Sequence, residues 1–172
     1  MAKNDFLFEG RAPYGSAPGT SRADLVVVPG ASTPAENMMV YAFATDADEY
    51  VDFFLTMPNQ YKGGGVTLEI EVQAESATSS NFRLAAALRH RETGDTWDTD
   101  AHTYDFNQVS VAVPAVVSRS VIGTITFADG VDMDSVVAGS HFVLRLWRNY
   151  THVDDVAGGD MYLERFYAYE TT

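Results

Sequence analysis

The segment Val66 to Gln73, "VTLEIEVQ", constrains the fold more than any other stretch of the chain. Val66, Leu68, Ile70 and Val72 alternate with Thr67, Glu69, Glu71 and Gln73. Successive side chains of an extended strand point to opposite faces, so this pattern predicts one face in an apolar core and one in water. Just upstream, "MPNQYKGGG" stops an earlier apolar run at Met57-Pro58 and turns through three glycines at 63 to 65. Glycine there permits a positive-φ turn beside Tyr61. It is not a phosphate loop, because the Gly-Lys-Ser/Thr ending is missing and a strand, not a helix, follows.

Strand signals recur along the chain. "MMVYAFA" begins at Met38, and Tyr50 to Met57 alternates Val51, Phe53, Leu55 and Met57 with Tyr50, Asp52, Phe54 and Thr56. A helix starting after Thr45 is the alternative there, and the period of two argues against it. "NFRLAAALRHR", "VSVAV", "VSRSVIGTITFA", "SHFVLRLWRNY" and "MYLERFYAY" follow, with one helix-like turn near Asp132 to Val137. About eight strands spaced by Gly, Asn and Asp turns predict an all-β fold, an antiparallel sandwich of jelly-roll type. An immunoglobulin-like sandwich is the alternative, but its Cys-Trp-Cys core is missing. The expected core comprises Val66, Leu68, Ile70, Val72, Phe82, Leu84, Phe142, Leu144 and Leu146.

Residues 1–36 read differently from 37–172, the sandwich domain. "GRAPYGSAPGTSRADLVVVPGASTPAE" is dense in Gly, Pro, Ala and Ser, and Pro13, Pro18, Pro29 and Pro34 interrupt any long element. Phe6, Phe8, Tyr14 and the run Leu25, Val26, Val27 and Val28 are nevertheless too apolar for a solvated linker. An extended N-terminal arm that orders when laid on something fits both facts. A flexible terminus with one edge strand is the other reading.

The net charge is −13, from 24 acidic and 11 basic residues. Such a chain has no field to draw in a nucleic-acid backbone or an anionic membrane surface, so neither is an expected partner. No run of 18 apolar residues offers a transmembrane helix. The start, "MAKNDFLFEGRAPYG", lacks the apolar region expected of a secretory signal. The chain has no cysteine, which excludes disulfides and Cys-based zinc sites.

No set of residues converges on chemistry. The carboxylates at Asp46, Asp48 and Glu49, at Asp95, Asp98 and Asp100, and at Asp129, Asp132 and Asp134 form local runs. A glycosidase needs two carboxylates opposed across a cleft. "DGVDMD", Asp129 to Asp134, lacks the length and closing Glu of an EF-hand loop. His90, His102, His141 and His152 share no ligand spacing. Serines occur without a Gly-x-Ser-x-Gly elbow or an ordered triad. No catalytic activity, cofactor or metal is expected. Trp97, in the polar loop "ETGDTWDTD", is the candidate exposed aromatic for a ligand platform.

The stretch "YAFATDADEYVDFFLTMPNQYKGGGVTLEIEVQAESATSSNFRLAAALR" resembles structural proteins of tailed bacteriophages. There an extended strand ends in Pro, a Tyr-x-Gly-Gly turn follows, and a "V-T-L"-like strand leads to an Ala/Ser/Thr-rich loop. The ending "SHFVLRLWRNYTHVDDVAGGDMYLERFYAY" is similar too, and the likeness spans roughly residues 38 to 169. It is most like head decoration (cement) proteins. The resemblance implies a non-catalytic homotrimer on the outer surface of the virion capsid, with the major capsid protein as partner. Phe6, Phe8, Tyr14 and Leu25 to Val28 would then be its capsid or subunit contacts. The alternative function is a carbohydrate-binding jelly-roll module of a fibre or tail component, with Trp97 as its platform.

Overall fold

The computed structural model describes residues 6–10, 22–76, 79–91 and 105–171 of the chain. The strands are Phe6–Gly10 (β1), Asp24–Pro29 (β2), Asn37–Phe43 (β3), Glu49–Thr56 (β4), Val66–Ala74 (β5), Asn81–Arg91 (β6), Asn107–Ala112 (β7), Val121–Phe127 (β8), His141–Arg148 (β9) and Met161–Glu170 (β10). The helix-like turn expected near Asp132 is a 3-10 turn, Val131–Met133. Tyr50 to Met57 is a strand, as its alternation requires.

Two antiparallel sheets form a sandwich. One has the order β2-β3-β10-β5-β8, and the other β4-β9-β6-β7. From β3 to β10 the chain crosses repeatedly between the sheets, leaving β3-β10-β5-β8 facing β4-β9-β6-β7. That nested order is the jelly roll. β1 and β3 share one side of β10. β3 pairs with Met161 to Leu163 and β1 with Phe166 to Tyr169, while β5 occupies the other side.

All nine residues expected in the core are buried, at 3% exposure or less. Aromatic rings join the layers, with Phe53 against Phe166 at 4.9 Å and Phe8 against Phe142 at 5.2 Å between centroids. At one margin Gly123 of β8 lets that strand close on β6 and β7. A Cβ there would lie 2.7 Å from a Val111 methyl and 2.8 Å from one of Leu84. At the other margin Ala23 N–H donates to the Tyr50 carbonyl at 3.2 Å, tying the approach to β2 onto the edge of β4.

Three expectations change. The outward face of β5 is not uniformly in water, since Thr67 and Gln73 are buried. β5 is central, so its outward residues are flanked on both sides. Thr67 bonds the Thr171 hydroxyl at 2.9 Å, and Gln73 sits across from Tyr162. The described residues form ten strands, not about eight, and both additional ones fall within residues 1–36. Finally, Leu7 and Phe8 are buried in this chain's own core. Pairing with β10 places Phe8 beneath the sheet, so it is not free to anchor on a second chain.

The segment before β5 closes one end of the sandwich. Gly65, at φ +85°, approaches the Phe127 carbonyl so closely that a Cβ would lie 2.4 Å from its oxygen. Gly65 N–H donates to the Tyr61 hydroxyl at 3.1 Å, which donates to Asp129 Oδ1 at 2.9 Å. Glu170 Oε1 accepts from the Lys62 and Gly64 amides, both at 2.9 Å. The Tyr61 phenol is pushed up to about 12, chiefly by burial and then by its bond to the Asp129 carboxylate.

Candidate functional site

The outward face of the β4-β9-β6-β7 sheet carries the candidate site. On β9, Phe142, Leu144 and Leu146 point into the core, so Val143, Arg145 and Trp147 point out. On β4, Val51 and Phe53 point in, leaving Tyr50, Asp52 and Phe54 outward. The register sets Trp147 directly across from Tyr50, and Arg145 across from Asp52. Phe106, just before β7, meets the Trp147 ring edge-on at 5.1 Å and 71°.

Tyr50, Phe106 and Trp147, with Asp48, Glu49 and Arg145, line a hollow of about 280 Å³ open to solvent. That is close to the lower end, about 300 Å³, of ordinary ligand sites, and suits one ring-sized group. Its walls are held from outside. The Arg145 guanidinium lies 3.9 Å over the Tyr50 ring and donates through Nε and Nη2 to the two Asp52 oxygens, each at 2.7 Å. This fork fixes the guanidinium plane, and with it the tyrosine beneath. Asp48 accepts from the Thr151 amide at 3.2 Å and hydroxyl at 3.1 Å, which joins the rim to the β9–β10 connection. Glu49 Oε2 accepts from the Ala44 amide at 2.7 Å. The Glu49 carboxyl lies above the usual carboxylate range because burial disfavours its charge; the Ala44 N–H opposes this, and Asp24, Asp160 and Asp46 add to it.

A buried ion pair holds that connection in place. Arg148 and Asp155 are both fully buried. Arg148 Nη2 donates to Asp155 Oδ1 and the Ala157 carbonyl, each at 2.7 Å, and Nη1 donates to the Gly159 carbonyl at 2.9 Å. Its guanidinium also lies 4.8 Å over the Phe82 ring. Asp155 Oδ2 takes the Arg83 amide at 2.9 Å. The loop carrying Thr151 is thus stapled to the end of β9, next to Trp147.

The residues singled out from sequence have various fates. Trp97, Tyr14 and His102 lie outside the described residues, as does the side chain of Phe6. Leu25 packs against the core, Val26 and Val28 are half-buried, and Val27 is exposed. The carboxylates of "DGVDMD" diverge to separate donors. Asp129 takes the Tyr61 hydroxyl, Asp132 the Ala128 amide and the Asn107 side chain, and Asp134 the His90 amide. His141 Nδ1 pairs with the Thr56 hydroxyl and His152 Nδ1 accepts from the Asp154 amide. Trp147, Tyr50 and Phe106 did not stand out in the sequence as a site. The signal was present in the phase, since a tryptophan between inward Leu146 and Arg148 on a strand must face out.

No protein-family model matches the chain, and no curated protein matches it in sequence. Among solved structures, the chain is similar to the C-terminal CBM6 of LamC, a marine laminarinase from Zobellia galactanivorans. That match has 11% identity and TM-score 0.47, covering 95% of this chain and 98% of that one. It is also similar to the carbohydrate-binding module CBM6cm-2 from Cellvibrio mixtus lichenase 5A, in complex with cellotriose, at 10% identity and TM-score 0.44, covering 89% and 92%. A third is TmCBM61 in complex with β-1,4-galactotriose, at 11% identity and TM-score 0.39, covering 84% and 82%.

Proposed function

We propose that this chain is a non-catalytic glycan-binding domain that takes a sugar ring in the hollow of Tyr50, Phe106 and Trp147. The observation that carries the reading is the combination of three aromatic rings with two carboxylates and a guanidinium around one ring-sized hollow. A pyranose presents apolar C–H faces and a rim of hydroxyls. Aromatic rings cover the faces, and carboxylates accept from the hydroxyls, which need both donors and acceptors when desolvated. The platform in this reading is Trp147; Trp97, the platform expected from sequence, lies outside the described residues. Because Arg145 and Asp52 lock Tyr50, and Phe106 abuts Trp147, the walls are set before a ligand arrives, which lowers the ordering cost of binding.

A glycan array probed with the full chain tests the reading. Binding should weaken about 30-fold or more in Trp147→Ala, as for a central aromatic anchor. Phe106→Ala, at an exposed position, should weaken it without touching the core. A folded wild-type chain that binds nothing on a broad array would overturn the proposal.

A second reading, attachment to the outside of a capsid shell with the major capsid protein as partner, has one observation in its favour. Val27 and Met39 are cross-strand partners on β2 and β3, and both are exposed. They continue the inward face of their sheet beyond Leu25 and Tyr41, and form an apolar step at an edge strand. Mixing the chain with undecorated capsids tests that reading. Retention lost in Val27→Asp supports it, and no retention of the wild type refutes it.

A further inference from the structure

We infer that the sugar taken by the hollow carries a protonated amine, as an amino sugar without its acetyl group does. The inference deepens the glycan-binding reading and rests on it.

The charges around the hollow favour a cation. Asp48 and Glu49 line the hollow. Glu49 also feels Asp24, Asp46 and Asp160 as like charges. Against these five carboxylates stands one exposed arginine at the strand edge, Arg22, which bridges to Tyr50, while the arginines of β9 are engaged elsewhere. Arg145 gives Nε and Nη2 to Asp52, and Arg148 is fully buried with Asp155. Lysine does not offset the excess, since Lys3 and Lys62 are the only ones in a chain of net charge −13. The field at the hollow is therefore negative, and low-dielectric walls strengthen it.

A sugar bearing a carboxylate or sulfate would be repelled by this field. A neutral sugar gains nothing from Asp24, Asp46 or Asp160. A ring with a protonated amine gains from those charges and from the face of Trp147, which attracts cations. Among the described residues no three His, Asp or Glu side chains converge closely enough to hold a metal ion, so the field does not amount to a metal cage. An amine brought in on a ring answers both features, the aromatic walls and the excess of carboxylates over cations.

Calorimetric titration of the full chain tests this with three ligands: a β-1,4-linked glucosamine tetramer, its fully N-acetylated counterpart, and cellotetraose. At mildly acidic pH and low salt the free-amine tetramer should bind about tenfold tighter than either neutral ligand, and high salt should shrink that preference to about twofold. The double variant Asp24→Asn/Asp46→Asn removes two exposed charges outside the hollow. It should lower the preference by about three- to fivefold while neutral ligands bind as before. If the acetylated tetramer binds as tightly as the free amine, or the preference survives both salt and the double substitution, the inference is overturned while the glycan reading stands. If none of the three binds and a broad array is also blank, the glycan reading itself falls, and the inference with it.

Discussion

Replacing Arg148 with Met should be among the most damaging single changes outside the apolar core. The methionine fills much of the arginine stem's volume but leaves Asp155 buried with the Arg83 amide as its remaining donor. It also removes the donors that satisfy the Ala157 and Gly159 carbonyls. Breaking a buried pair by removing one partner costs about 3–5 kcal/mol, because the survivor is an uncompensated charge. At about 2–4 °C per kcal/mol for a domain of this size, the melting temperature should fall by about 6–20 °C. Urea unfolding followed by circular dichroism reads the loss directly, and the partner variant Asp155→Leu completes a double-mutant cycle. The double variant Arg148→Met/Asp155→Leu should cost at least about 2 kcal/mol less than the sum of the singles. If Arg148→Met costs under about 1 kcal/mol, or the two changes simply add, the pair does not staple the β9–β10 connection and the reasoning fails. The same variant should weaken ligand binding, since Thr151 on that connection holds Asp48 at the rim.

Four other outcomes follow from the packing. Arg89 is buried, and its Nε and Nη1 have no hydrogen-bond partner among the described residues, so Arg89→Met should be neutral or stabilising in the same urea assay, in contrast to Arg148→Met. Deleting residues 2 to 30 removes β1, β2 and the buried Phe8. It should destabilise the sandwich by more than the roughly 3–5 kcal/mol of a buried Phe truncation, so a truncated chain melting like the full one would refute the assignment of β1 to the core. Ile70→Ala should cost about 2–5 kcal/mol and Glu69→Ala under about 1, and equal costs would mean that the β5 faces are misassigned. Tyr61 is held protonated up to about 12, above the ordinary tyrosine value near 10. The folded state therefore keeps a proton that the unfolded chain loses. This contributes about 2–3 kcal/mol below pH 10, and the contribution disappears as pH rises through about 12. Alkaline unfolding of Tyr61→Phe should lack that step.

Much of the fold was legible because period-two alternation survives wherever a strand has one buried face. The stretch "NFRLAAALRHR" coincides with β6 from end to end, and the nine core residues follow from phase alone. What could not be read was burial on the outward faces, as at Thr67 and Gln73, because it depends on which strands come to lie alongside. β1 escaped for a related reason. Its few residues between polar and glycine-rich stretches show no pattern, and they become a strand by completing the free side of β10. The site was hidden differently again. Tyr50, Phe106 and Trp147 are far apart in sequence, and the hydrogen-bonded register of β4 and β9 brings two of them together. Trp97 stood out because its neighbours are polar, whereas Trp147 was masked by the apolar strand that positions it.

The central claim is that the hollow on the β4-β9-β6-β7 sheet is a sugar site. Nuclear magnetic resonance titration of the isotopically labelled chain with the glucosamine tetramer tests it most directly. The chain's two tryptophan indole N–H groups, Trp97 and Trp147, give separate signals. The Trp147 indole should shift and saturate with ligand, together with the backbone amides of Asp48, Tyr50, Phe106 and Arg145. Shifts confined to Trp97, or to the Val27 and Met39 edge, or an unchanged spectrum with that tetramer and with every array-selected glycan, would contradict it.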